Sequence, residues 1–205
     1  MTQRFDAVLF DLLSGLLDSW SLWDAVAGSV PAGRQWRSEY LRRTYATGAY
    51  RPYEDIVTEA ATAVGLSPAT AEGLVTRWPS LRPWPEAPGV VRTVAAKVRV
   101  GVVTNCSDRL GATAVAAVGV PFDVVVTAEA AGAYKPDPAP YRAALTELGA
   151  PPERVLFVAG SPYDVAGAGA VGMPVWWHNR VGLAREGDRV PIAEHDSLRP
   201  LVDAV

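Results

Sequence analysis

Five short runs of apolar residues, most of them β-branched, constrain the fold of this chain more than any other feature. The runs do not alternate apolar with polar residues, which is typical of parallel strands covered on both faces. Segments with helical spacing lie between the later runs, so strands and helices alternate as in a doubly wound sheet. We therefore predict an α/β fold with a parallel sheet, with strands at residues 7–11, 98–104, 124–127, 155–159 and 174–177.

The alternation is interrupted after the first strand. Residues 16–85 contain no strand candidate and instead carry four helix-like segments, followed by a proline-rich hinge at residues 83–89. We predict that residues 16–85 form a helical cap domain inserted into a core domain made of residues 1–15 and 86–205. A cap over the carboxyl ends of the strands would close a dry pocket, and the alternative is a helical embellishment without a catalytic role.

Charge and composition narrow the class of partner. The net charge of −3 leaves no basic surface for nucleic acid, and the apolar runs are too short for a membrane span. The single cysteine, Cys106, excludes an internal disulfide, and no secretion signal is recognisable at the start. We expect a cytoplasmic protein that binds neither nucleic acid nor membrane.

Polar residues follow the carboxyl ends of four predicted strands, where a parallel sheet opens a crevice. In chain order they are Asp11, the pair Thr104 and Asn105, Lys135, and finally Ser161 with Asp164. A lysine beside Asp11 would lower the pKa of that carboxyl and keep it ionised as a nucleophile, while Asp164 would hold the lysine in place. Thr104 and Asn105 would donate hydrogen bonds to a substrate carboxylate or to charge developing on Asp11.

Each of these residues also has a purely structural interpretation. Asp11, Asp164 and the Thr104–Asn105 pair would serve as caps of neighbouring elements, and Lys135 would lie in a solvated loop. A coincidence of polar groups at four successive strand ends is much rarer than any one of them. The combination therefore favours an active site.

The order of these motifs resembles that of the haloacid dehalogenase superfamily. The resemblance rests on Asp11 after the first strand, Thr104 as the second motif, Lys135 in Tyr-Lys-Pro-Asp-Pro, and Asp164 in Ser-Pro-Tyr-Asp. It implies a Rossmann-like core with a helical cap and hydrolysis through the aspartate. Phosphatases of the superfamily carry a second acid two residues after the nucleophile and another in the fourth motif that helps to hold Mg²⁺. Leu13 and Gly160 stand at those positions here, which disfavours phosphatase activity.

The L-2-haloacid dehalogenases work without these acids, and local segments are similar to theirs. Tyr141 follows the lysine motif at the spacing of that branch, and Tyr40-Leu41-Arg42 resembles the segment with the halide-accepting arginine, with Arg43 as the alternative. The departures are Leu13 in place of an aromatic residue, Ser14-Gly15 in place of Gly-Thr, and Ala159 and Ser161 in the fourth motif. Loss of the threonine removes a hydroxyl that would help to orient Asp11.

The resemblance implies that Asp11 displaces halide from a 2-substituted carboxylic acid through an aspartyl ester, without a metal or other cofactor. Arg42 would stabilise the halide, Lys135 and Asp164 would position Asp11, and the substrate would be bound by Thr104, Asn105, Leu13, Tyr141 and Ser161. Tyr45, Tyr50 and Trp84 would either line the pocket or pack in the cap core. The alternatives are a Mg²⁺-dependent phosphatase, a hydrolase of another 2-substituted carboxylate such as a strained cyclic amine, and a binding protein without catalysis. The expected partner is a small carboxylate, with a homodimer as a further possibility.

Overall fold

The computed structural model describes residues 5–205, and the strands found there form one parallel sheet of six strands in the order β3-β2-β1-β4-β5-β6. The strands are β1 Ala7–Asp11, β2 Arg99–Thr104, β3 Val124–Thr127, β4 Val155–Ala159, β5 Val175–His178 and β6 Ala193–His195. The predicted α/β fold with a doubly wound parallel sheet is therefore confirmed.

The strand order places the site. The chain builds one half of the sheet outward from β1 through β2 to β3, and then returns to the other side of β1 for β4. Every residue of β1 and β4 is buried, and Phe10 of β1 lies beside Val102 of β2 and Val158 of β4. In such sheets the crevice at the carboxyl ends, where the order reverses, is the usual ligand site. Here that point is the end of β1, where Asp11 lies.

Helices cover both faces of the sheet and fill the connection between β1 and β2. Four helices lie in that connection, namely α1 Ser19–Ala27, α2 Val30–Ala46, α3 Tyr53–Ala63 and α4 Pro68–Thr76. The remaining helices are α5 Ala87–Ala95, α6 Asp108–Val118, α7 Ala128–Ala131, α8 Pro138–Leu148, α9 Pro162–Ala170 and α10 Leu201–Ala204. Short helical turns occupy Leu12–Leu16, Trp78–Ser80 and Pro152–Arg154.

Aromatic side chains pack against one another in the helical cap, within a buried cluster that continues into the sheet domain. The rings of Trp23 and Trp36 lie 4.5 Å apart, and Tyr40 contacts both Trp23 and Tyr53. The indole Nε1 of Trp36 donates to the carbonyl of Val57 at 2.9 Å, which satisfies a polar atom that would otherwise be buried without a partner. The predicted helical segment between β1 and β2 is therefore confirmed as a packed unit.

The two connections between the cap and the core run side by side. Leu17 and Pro83 form an antiparallel bridge, and the backbone N–H of Trp84 donates to the carbonyl of Leu16 at 2.9 Å. These contacts lie close to the boundaries that we predict at residues 15/16 and 85/86. We retain residues 16–85 as our proposal for the extent of the cap domain.

The sequence prediction missed β6. Ala193–His195 is only three residues long, lies at the edge of the sheet and includes no fully buried residue, so it carries no apolar run. Along residues 5–205, no helix combines the length and the apolar character needed to cross a membrane.

Candidate active site

Asp11 is held by the turn that follows it. Its Oδ2 accepts three hydrogen bonds, from the backbone N–H of Ser14 at 3.0 Å, the hydroxyl of Ser14 at 2.7 Å and the backbone N–H of Gly15 at 2.8 Å. The residue is only 6% exposed. Asp11 thus caps the turn that follows it, and the same hydrogen bonds fix the position of its carboxylate oxygens. A capping role is therefore compatible with the predicted role as nucleophile.

Lys135 joins Asp11 to Asp164. Its Nζ lies 2.9 Å from Asp11 Oδ1 and 3.0 Å from Asp164 Oδ1, and all three side chains are buried. Asp164 lies in the first turn of α9, and the hydroxyls of Tyr141 and Ser161 donate to its two oxygens at 2.9 and 3.1 Å. The predicted proximity of Asp11, Lys135 and Asp164 is therefore seen in the structure, while their catalytic roles stay predictions.

The charges of these three groups influence one another. Burial by itself would raise the pKa of Asp11, but the Lys135 ammonium and the donors of Ser14 outweigh it and lower the pKa. For Asp164, burial and the nearby charge of Asp11 together outweigh Lys135, so its pKa is raised. Burial opposes the charge of Lys135, yet the two carboxylates raise the pKa of its ammonium. Asp11 is consequently the more acidic of the two carboxyls and Asp164 the more basic.

The side-chain amide of Asn105 binds the backbone of Lys135 through both its nitrogen and its oxygen. Its Nδ2 donates to the Lys135 carbonyl at 2.9 Å, and its Oδ1 accepts from the Lys135 N–H at 2.7 Å. The carbonyl of Asn105 accepts from the hydroxyl of Tyr40, which belongs to the cap. Asn105 lines the cavity as predicted, but its side chain positions Lys135.

The prediction that Thr104 contacts the substrate is wrong. Thr104 is completely buried at the end of β2, beside Thr127 of β3, and it does not line the cavity. Its hydroxyl lies 3.7 Å from Cys106 Sγ, and its methyl group lies beneath Gly111 of α6. The strand therefore directs the Thr104 side chain into the core under α6 instead of into the crevice.

A cavity of about 530 Å³ opens between the strand ends, the cap helices α1 and α2, and the loop after β5. Leu13, Ser161 and Tyr45 line it, together with the three charged residues at its floor. Tyr141 is completely buried below the floor and acts on the site only through Asp164, so the predicted direct contact with substrate is wrong. Tyr50 and Trp84 lie outside the cavity wall.

The buried arginine of the cavity is Arg37, and not Arg42 as predicted. Arg42 reaches only the rim, where its side chain is 65% exposed and makes two hydrogen bonds of 2.7 Å to Glu39. Arg43, the alternative, binds Glu39 and Glu59 and does not line the cavity. Both guanidinium groups already bind carboxylates, which weakens their attraction for an anion.

Arg37 lies on the buried face of α2 and lines the cavity. Its guanidinium stacks over the ring of Trp20 at 3.9 Å and donates to the hydroxyl of Ser19 at 2.8 Å. No carboxylate within residues 5–205 forms an ion pair with it, and burial lowers its pKa although the charge of Asp11 acts in the opposite direction. Helical periodicity was the signal that could have identified it, because the buried positions of α2 are Gly33, Trp36, Arg37, Tyr40 and Thr44.

The resemblance implies that the threonine hydroxyl expected at position 15 is missing here, and the hydroxyl of Ser14 binds Asp11 in its place. The hydroxyl is thus one residue closer to Asp11 in the sequence. Gly160, which follows the neighbouring strand β4, leaves space for it because it has no side chain. A Cβ atom at position 160 would lie 2.5 Å from Asp11 Oδ2 and 2.6 Å from Ser14 Oγ. An acidic side chain at position 160, as metal-dependent phosphatases require, would therefore collide with Asp11.

The carboxylates of the site are arranged around a lysine. Residues 5–205 contain no group of three or more His, Cys, Asp and Glu side chains placed to hold a metal ion. The ammonium of Lys135 lies between Asp11 and Asp164, where a divalent cation would have to lie to bind both. The residues present thus do not fit the Mg²⁺ site of the phosphatases.

Known proteins resemble the chain over nearly its whole length. Haloacetate dehalogenase H-2 of Moraxella sp. (strain B) is 29% identical, with 99% of this chain and 97% of that protein covered. (S)-2-haloacid dehalogenase H-109 of Pseudomonas putida is 28% identical, with 88% of each covered. The fold is also that of L-2-haloacid dehalogenase from Xanthobacter autotrophicus, with a TM-score of 0.84 at 23% identity and 97% of both chains covered.

A shorter similarity connects the chain to a phosphatase. Phosphoglycolate phosphatase of Rhodospirillum rubrum is 35% identical over 56% of this chain and 47% of its own length. Residues 5–172 match the family described as haloacid dehalogenase-like hydrolases. Since this match extends over most of the chain, the protein belongs to the haloacid dehalogenase-like hydrolases.

Proposed function

We propose that the protein hydrolyses the carbon–halogen bond of 2-halo carboxylic acids, with Asp11 as nucleophile and without a metal ion. The observation that carries this proposal is the combination, in one cavity, of a lysine-bound Asp11 with Arg37, a buried cation that forms no ion pair with any carboxylate of residues 5–205. A nucleophile and a separate anion-binding group are what displacement of halide needs. The names of the two dehalogenase relatives support the same reaction class.

The first step is an in-line displacement at carbon 2 of the substrate. Asp11 Oδ2 already accepts three hydrogen bonds, whereas Oδ1 contacts only Lys135 among the described residues, so Oδ1 keeps a lone pair for attack. The new bond joins Oδ1 to carbon 2, and the halide leaves with the electron pair of the broken bond. Arg37 stabilises this anion, and no general acid is needed because halide leaves unprotonated.

The second step is hydrolysis of the aspartyl ester. Water adds to the carboxyl carbon of Asp11, and negative charge develops on Oδ2. The N–H groups of Ser14 and Gly15 and the Ser14 hydroxyl already point at this oxygen and act as an oxyanion hole. Asp164, whose pKa is raised, is suited to take the proton of the water. The bond between the Asp11 carboxyl carbon and the former Oδ1 then breaks, and the leaving alkoxide takes the proton from Asp164 and departs as the 2-hydroxy acid.

The decisive assay measures halide release from haloacetates and from both enantiomers of 2-chloropropionate, with and without EDTA. We expect release by the wild type in both conditions and none by the Asp11→Asn variant. A single turnover in ¹⁸O-labelled water would place the label in Asp11 if the ester forms, and only in the product if water attacks carbon 2 directly. Label in the product alone would refute the aspartyl ester.

The shorter phosphatase similarity favours a second candidate, a Mg²⁺-dependent phosphatase acting on small phosphate esters. The contact between Gly160 and Asp11 and the leucine at position 13 argue against it, because neither position offers an acid. Phosphate release from phosphoglycolate that EDTA abolishes, together with absent halide release, would establish this candidate and refute the first.

A further inference from the structure

The ring of Trp84 lies behind the turn that holds Asp11. Its Nε1 donates to the carbonyl of Ser14 at 3.0 Å, and the residue is 9% exposed. From the sequence, we predict that Trp84 either lines the pocket or packs in the core of the cap. In the structure it lies outside the cavity and against the backbone of the turn that follows Asp11. Its contact is therefore with the machinery around Asp11.

The carbonyl of Ser14 and the N–H of Gly15 belong to the same peptide group. This peptide is trans, so its carbonyl and its N–H point in opposite directions. The N–H of Gly15 points at Asp11 Oδ2 at 2.8 Å, while the carbonyl on the other side accepts from Trp84. The indole thereby fixes the plane of the peptide that supplies one oxyanion-hole donor, and hydrogen bonds in such a chain polarise one another.

His178 holds the next carbonyl of the same turn. Its Nδ1 lies 2.8 Å from the carbonyl oxygen of Gly15, which can only accept, so Nδ1 carries the proton. His178 is completely buried, and its ring meets that of Trp84 edge to face at 6.3 Å. Two ring N–H groups from distant parts of the chain thus hold two successive carbonyls behind Asp11.

We infer that Trp84 is a positioning residue for hydrolysis of the aspartyl ester, acting through the Gly15 N–H, and that His178 supports the same turn. This inference rests on the proposed aspartyl ester. Charge develops on Oδ2 only in the second half-reaction, whereas the first uses Oδ1. Loss of the Trp84 hydrogen bond should therefore slow decay of the ester more than its formation.

Trp84 also lies at the junction of cap and core. Its backbone N–H donates to the carbonyl of Leu16, next to the bridge between Leu17 and Pro83. One residue consequently contacts the cap connection through its backbone and the oxyanion hole through its side chain.

The test is Trp84→Phe, which removes the ring N–H and keeps an aromatic side chain. Trp78→Phe is a matched control, since Trp78 is also buried and its Nε1 donates to a backbone carbonyl, that of Leu110, at 2.9 Å outside the cavity. Rapid quenching and intact-protein mass measurement give the rates of ester formation and ester decay with 2-chloropropionate. We expect Trp84→Phe to reduce ester decay about tenfold, below the ~100-fold loss typical of a deleted oxyanion donor, so that ester accumulates.

In Trp78→Phe we expect the ratio of the two rates to equal that of the wild type, even where its melting temperature falls. Equal ratios in Trp84→Phe, Trp78→Phe and the wild type would overturn the inference. If Trp84→Phe does not fold, His178→Leu provides the same comparison, with a smaller expected decrease in ester decay, and an unchanged ratio there would overturn it. Failure of the wild type to form any ester would instead refute the proposed function.

Discussion

Gly160 lies so close to Asp11 that a Cβ atom at position 160 would be 2.5 Å from the Oδ2 atom of that carboxylate. The same atom would also collide with the backbone nitrogen of Gly15 and would lie 2.6 Å from Ser14 Oγ. Asp11 and its turn are held together by the three hydrogen bonds on Oδ2, and the pairing of β1 with β4 holds them against the backbone at position 160. The absence of a side chain at position 160 is therefore a requirement of this form of the site.

Gly160→Ala should displace Asp11 and lower kcat by about 100-fold, the loss that a misplacement of about 1 Å can cause. Gly89→Ala is the control, because Gly89 lies in α5 and a Cβ there meets no atom within 4 Å. We expect Gly89→Ala to keep full activity and to be as stable as the wild type or slightly more so. Steady-state halide release and thermal unfolding check both variants, and full activity in Gly160→Ala would contradict the geometry.

Arg37→Met should reduce kcat/KM for halide release by about 100-fold or more, because the departing anion loses its buried cation and pre-organised electrostatic groups contribute most of such stabilisation. Arg42→Met tests the position favoured by the sequence. Its guanidinium is exposed and already bound to Glu39, so we expect less than about a fivefold change in kcat/KM. A larger loss of kcat/KM in Arg42→Met than in Arg37→Met would show instead that Arg42 binds the halide.

The sequence predicted the sheet and the cap well because both depend on local patterns. Runs such as Val155–Ala159 are apolar on both faces, and helix α2 begins where Ser29 caps it and a proline stands in the first turn. The charge triad was predictable for a related reason, since parallel strand ends must converge and Asp11, Lys135 and Asp164 each follow one.

The identity of the cavity arginine was not predictable from the motif alone. Arg37, Arg42 and Arg43 lie within two turns of α2, and only the direction of its buried face separates them. Likewise, a hydroxyl at position 14 instead of position 15 fits only because Gly160 has no side chain, and Gly160 is distant in the sequence. Thr104 was misassigned because the last residue of a strand can face either the crevice or the core, and packing against α6 decides this.

Ser14→Ala should weaken the hold on Asp11 Oδ2 while leaving both backbone donors in place. Hydrogen bonds to charged groups contribute about 1.5 to 3 kcal/mol, so a decrease of about 10-fold or more in ester hydrolysis is expected. Ser161→Ala is an informative comparison, because its hydroxyl binds Asp164 and not Asp11. Single-turnover rates distinguish the two, and an unchanged ester-hydrolysis rate in Ser14→Ala would show that the hydroxyl does not act on Asp11.

The decline of activity at acid pH should reflect protonation of Asp164. Its pKa is raised by burial and by the charge of Asp11, whereas that of Asp11 is lowered, so Asp164 takes up a proton first as the pH falls. Protonated Asp164 neither holds Lys135 nor accepts the proton of the attacking water, and activity declines although Asp11 is still ionised. On the basic side, the raised pKa of Lys135 keeps the ion pairs intact to a pH above the ordinary range of a lysine.

Asp164→Asn should therefore lower kcat and at the same time move the acid limb of kcat/KM to lower pH. The remaining limb would belong to Asp11, whose pKa is lowered by the Lys135 ammonium and by the donors of Ser14 although burial acts to raise it. Glu72→Gln, an exposed change on α4, is the control and should leave the profile in place. Halide release measured across the acid range decides the matter, and an acid limb that stays at the wild-type position in Asp164→Asn would assign the titration to another group.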